Sequence, residues 1–98
     1  MDLQKEIKQT KPFSSKAQEA FLSILKTSDK IESSAALFLK GFNLTLPQHN
    51  VLRILKGAGP EGWSCSEISL RMIKKDSDIT RLLDRLEKPG YIVRIPDK

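Results

Sequence analysis

From Asp76 to Gly90 the chain reads DSDITRLLDRLEKPG. Ile79, Leu82, Leu83 and Leu86 stand there at the i, i+3, i+4, i+7 spacing of one helical face. Ser77, Arg81, Asp84 and Lys88 fall on the opposite face, with Thr80 and Arg85 on its shoulders. The pattern predicts an amphipathic helix over 76–89, capped at its start by Asp76 or Ser77. Gly90 supplies the left-handed stop, and Pro89 disfavours continuation. Tyr91 to Ile95 (YIVRI) is a β-rich run and reads as a strand. A short helix with an apolar back, a front of hydroxyls and arginines, and a strand leaving its end is the layout of a recognition helix followed by a wing.

Upstream, a helical pattern runs from about Ser14 to Lys40. Ala17, Ile24, Ile31 and Phe38 recur at seven residues, with Phe21, Ser28 and Ala35 as a second set, which makes a coiled-coil-like seam. Leu22, Leu25, Leu37 and Leu39 widen the apolar surface beyond that seam. A small domain can hardly cover both sides of such a helix, which favours contact with a partner subunit over cover of its own core alone. Candidate dimerisation residues are therefore Ala17, Phe21, Ile24, Ile31, Ala35 and Phe38.

Gly41-Phe42-Asn43 ends the long helix. Thr45-Leu46-Pro47-Gln48 is a capping box with proline in the first turn, opening a helix to about Lys56 with Val51, Leu52 and Leu55 inward. Gly57 to Gly62 is a loop, after which Trp63 packs on the core or begins a strand. Ser64 and Glu67 form a second capping box, followed by a short helix with Ile68, Leu70 and Met72 or Ile73 apolar. Arg71 to Lys75 leads into the turn before Asp76. Two short helices joined by a tight turn are a helix-turn-helix. Lys74 and Lys75 would neutralise phosphates there, while Ser77, Thr80 and Arg81 approach base edges.

The whole is 98 residues, one small domain. Three segments are expected: a flexible N-terminal arm over 1–13, the long dimerisation helix over 14–42, and the DNA-binding domain over 43–98. Net charge is +5, and residues 71–98 hold eight Lys/Arg against five Asp/Glu. The excess lies over the recognition helix and wing, where a polyanion would dock. No apolar run approaches membrane-spanning length and the N-terminus lacks a signal-peptide core, so no membrane association and a cytoplasmic location are expected. Cys65 is the single cysteine; it excludes an internal disulfide and reads as a small, semi-buried packing residue. His49 has no ligand cluster at metal spacing, so neither metal nor cofactor is expected. Without a nucleophile–base pair, and with a glycine loop lacking the Gly-Lys-Ser/Thr ending, an enzyme is not expected.

Leu44 to Leu55 (LTLPQHNVLRIL) resembles the LTxxQxxVLxxL segment of the MarR family of bacterial transcriptional regulators. Ser66-Glu67-Ile68 is similar to its SELA-type helix. Ile79 to Glu87 (ITRLLDRLE) is nearly its VTRLLDRLE signature, and Gly90 to Arg94 resembles the GLVxR that opens its wing. The resemblance covers roughly residues 14–98. It implies a mainly α, winged helix-turn-helix fold with a long N-terminal helix and a short β wing. It further implies a regulator, a repressor by preference, that binds pseudo-palindromic double-stranded DNA as a homodimer and responds to a small phenolic or lipophilic effector. By position, Ser77, Thr80 and Arg81 would face the major groove, Arg85 would reach phosphate or brace Asp84, and Arg94 lies at the wing base. Members are usually longer, and the chain stops at Pro96-Asp97-Lys98, so the wing is expected to be incomplete. The competing expectation is a protein-interaction module that pairs through its first helix and binds DNA poorly alone.

Overall fold

A computed structural model describes residues 2–96. It is mainly helical, in the order α1 (Leu3–Glu6), α2 (Lys16–Lys40), α3 (Leu46–Lys56), α4 (Cys65–Arg71) and α5 (Ile79–Glu87). Residues 1–35 and 36–98 form two compact units, the boundary falling inside α2.

In the first unit the segment expected to be a loose arm contains the single turn α1. Asp2 caps it by accepting the Lys5 N–H, and Leu3 is buried. Glu6 pairs with Lys30 of α2, 24 positions away, so the turn is held by a charge pair as well as by Leu3. Both partners are partly exposed, and such a pair contributes about 0–1 kcal/mol.

The second unit is built on one aliphatic cluster. Val51 from α3, Ile68 and Met72 from α4 and its end, and Leu82, Leu83 and Leu86 from α5 are buried. Leu44, Leu52, Leu55, Ile79 and Ile92 pack around them. The helical periodicity of 79–86 is thus core-facing as expected. Thr45 forms the full capping box with Gln48 at the start of α3. Ser64 accepts the Glu67 N–H at the start of α4, but the reciprocal half is not made, because the Glu67 carboxylate turns to Arg71 one helical turn on.

Two helices end on the same device. Gly90 (φ +92) donates to the Glu87 carbonyl at 2.9 Å and Tyr91 to that of Leu86 at 3.0 Å. Asn43 (φ +59) donates to Lys40 at 3.0 Å and Leu44 to Leu39 at 3.1 Å. Each pair satisfies carbonyls that the helix end leaves open, and each needs a residue that tolerates the left-handed conformation.

Three expectations require correction. α4 stops at Arg71, and Met72 is extended (φ −63, ψ 134). That sends Met72 into the cluster and Ile73 outward, where it is 80% exposed; Leu70 is 70% exposed. The strand expected over 91–95 is absent, and no strand occurs among the described residues. A strand is defined by a partner's ladder, and none is formed among the described residues. Only Ile92 of that run packs on the cluster; Tyr91, Val93 and Ile95 are exposed. Cys65, expected to be semi-buried, is exposed at the first position of α4.

Candidate nucleic-acid interface

The helix expected over 76–89 forms over the shorter span of α5. Asp78, not Asp76 or Ser77, is its cap: the Asp78 carboxylate accepts the Arg81 N–H at 3.0 Å. Asp76 in turn accepts the Asp78 N–H at 2.9 Å. That local turn offers the backbone an alternative to helix, so the helix begins at Ile79, the first residue of the apolar pattern and three residues later than expected. Ser77 therefore lies exposed in the turn ahead of the helix, not on its face.

Thr80, Arg81 and Arg85 are all exposed on α5. Residues three and four apart share a line along a helix. Arg81, Arg85 and Lys88 form one such line, and neither arginine has an ion-pair partner among the described residues. Thr80, Asp84 and Glu87 form the neighbouring line, and Arg94 lies along it. Its Nη2 is 2.7 Å from Asp84 Oδ1 and donates to the Thr80 carbonyl at 3.2 Å, while its Nε is 4.0 Å from Glu87 Oε1. The arginine expected at the base of a wing thus returns to α5 and offsets its two acids. It is Arg94, not Arg85, that braces Asp84. Among the described residues, α5 with the neighbouring Lys88 and Arg94 exposes four basic groups, Arg81, Arg85, Lys88 and Arg94, against two acids, Asp84 and Glu87.

The two lysines of the turn are also exposed. Lys75 Nζ donates to the Ser69 and Leu70 carbonyls, at 3.0 and 3.2 Å, and so caps the end of α4. A capping lysine keeps its charge at the surface but is held to the turn, a role the sequence did not suggest.

Two further features went unread in the sequence. Arg71 places its guanidinium 3.7 Å above the Trp63 ring while pairing with Glu67, so Trp63 lies under a cation at the surface, neither in the core nor in a strand. Asn50 is buried and accepts the Ile73 N–H at 2.8 Å. The signal for Asn50 was available: it lies one turn before Ile54 on the inward side of α3, a polar residue at an apolar position. On α2, the candidate dimerisation residues Phe21, Ile24, Ile31 and Phe38 are between 61% and 70% exposed, with Ala17 exposed and Ala35 half-buried beside them. Among the described residues no group of His, Cys, Asp or Glu could hold a metal ion, and no helix is long and apolar enough to cross a membrane.

The sequence model of the MarR family matches residues 44–98, the stretch that holds α3, α4 and α5. The chain belongs to the MarR family. An uncharacterised HTH-type transcriptional regulator of Bacillus cereus is 32% identical over 77 residues, covering 79% of this chain and 51% of that protein. A Bacillus anthracis protein of the same description matches equally well. The HTH-type transcriptional regulator PapX of Escherichia coli is 34% identical over 70 residues, 71% of this chain and 43% of its own length. The chain thus spans about half the length of the curated relatives it matches. No solved structure matches it. Within the matched stretch, residues 79–87 (ITRLLDRLE) form α5.

Proposed function

We propose that the chain is the DNA-binding part of a MarR-type transcriptional regulator, acting as a repressor, with α5 reading the major groove. The observation that carries this is the sorting of charge on α5: its acids face Arg94, and Arg81 and Arg85 are exposed without ion-pair partners among the described residues. In this reading Thr80 and Arg81 approach base edges, joined by Ser77 from the turn. Arg85 and Lys74 meet phosphates. Lys75 adds charge near the backbone while capping α4, and Arg94 acts chiefly on Asp84 and Glu87. Residues 91–96 would form the first strand of a wing once a partner strand lies beside them. Support for regulation comes from the family and from the regulator names of the Bacillus and Escherichia relatives.

A second reading is favoured by α2. Its exposed apolar residues, Phe21, Ile24, Ile31 and Phe38, suit a helix that pairs with another chain. They would form the homodimer seam of the regulator, whose operator would then be pseudo-palindromic. Alternatively they make the chain an interaction module that binds DNA weakly alone. Light scattering with and without a mixture of palindromic duplexes separates the readings. A dimer whose mass rises by one duplex supports the regulator; a self-associated chain that ignores DNA supports the module.

A further inference from the structure

We propose that Asn50 is a positioning residue for the helix-turn-helix: its side chain sets where α4 stops and so how α5 is presented. The role in binding rests on α5 being the DNA-contacting helix; the role in geometry does not. Once Met72 leaves the helical conformation, the Ile73 N–H loses the carbonyl one turn back and needs another acceptor. Asn50 Oδ1 supplies it from α3, 23 positions earlier in the chain. Asn50 is 9% exposed and is the sole buried polar or charged side chain among the described residues. An aliphatic residue of similar size would fill the space without desolvating an amide. A hydrogen bond adds what dispersion lacks, a fixed distance and direction between two elements. On the other side of the turn, Lys75 holds the Ser69 and Leu70 carbonyls. The donor and acceptor ends of the turn are therefore both tied, one to α3 and one to α4. A buried polar contact that fixes register at little gain in stability is a known use of such residues.

The test uses the full chain with spin labels on the native Cys65, exposed at the start of α4, and on a Lys88→Cys variant at the end of α5. Asn50→Leu is predicted to broaden the label-to-label distance distribution and to speed exchange of the Ile73 amide about tenfold, with helix content unchanged. Affinity for a duplex selected by the parent chain from a random pool falls about tenfold, while affinity for unselected duplex stays the same. Ile73→Pro removes the donor instead of the acceptor, and should reproduce the broadening. It suits the site because Met72 already has the extended backbone that precedes proline and the Ile73 side chain is exposed. It also serves if Asn50→Leu fails to fold. A lowered melting temperature with the distance distribution and exchange unaltered would overturn the proposal, since Asn50 would then contribute only stability. Should the parent chain bind no duplex, the reading of α5 fails, and the distance and exchange results still decide the role of Asn50.

Discussion

Arg94 Nη2 lies 2.7 Å from Asp84 Oδ1, joining the segment after α5 back to the middle of that helix. The side chains are 41% and 59% exposed, so the pair contributes about 0–1 kcal/mol to stability. Its larger effect is on charge. Removing Arg94 would leave Asp84 and Glu87 uncompensated beside Arg81 and Arg85, on the face proposed to meet a polyanion. Arg94→Ala should therefore change thermal stability by less than about 1 kcal/mol yet weaken duplex binding in a fluorescence-anisotropy titration. Adding Asp84→Ala should recover most of the loss. No recovery would mean that Arg94 touches DNA itself.

Arg81 is placed to distinguish bases. Arg81→Ala should weaken binding to a selected duplex by about 1–3 kcal/mol and relax preference at one position of the site. Competition between selected and random duplexes checks this. An equal loss on both would reduce Arg81 to a phosphate contact.

The capping box at α3 contributes to stability alone. Thr45→Ala removes the acceptor for the Gln48 N–H and should destabilise the second unit by about 1 kcal/mol. For a domain of this size that lowers the melting temperature by about 4–8 °C. Calorimetry measures it, and selected-duplex affinity below the transition should not change.

Ile31, 64% exposed on α2, is the central residue of the proposed seam. Ile31→Glu should turn a self-associated chain into a monomer in light scattering, because two buried carboxylates would face each other across a symmetric contact. An unchanged mass would remove this face of α2 from the assembly.

Most of the helical framework was legible because local rules decided it. The i, i+3, i+4, i+7 spacing of Ile79, Leu82, Leu83 and Leu86 set the buried face of α5, and Thr45 with Gln48 set the start of α3. Gly90 marked the end of α5 for a conformational reason that a single residue carries, whereas the end of α2 left Gly41 or Asn43 open and the left-handed φ falls at Asn43. The family was legible from Leu44 to Arg94, the stretch where the MarR match lies. Contacts between distant residues were not. The end of α4 depends on Asn50, 23 positions before Ile73, and no local pattern places Met72 inward and Ile73 outward. Asp76, Ser77 and Asp78 are all capping types, and only the Asp76–Asp78 hydrogen bond selects the third. The strand at 91–95 was read from β propensity, which describes fit to a pleated surface and supplies no neighbour. Likewise, the basic character of Lys75 and Arg94 was plain in the sequence, but their use in capping α4 and offsetting Asp84 arises from folding.

The measurement that tests the central claim most directly is duplex affinity of the chain as a function of salt, for selected and random sequence. If α5 and its flanking lysines meet DNA, log affinity should fall linearly with log salt with a slope of about −2 to −4 per chain, and the selected duplex should bind more tightly throughout. Binding that is absent at low salt, or indifferent to both salt and sequence, would contradict the proposal that this helix-turn-helix reads DNA.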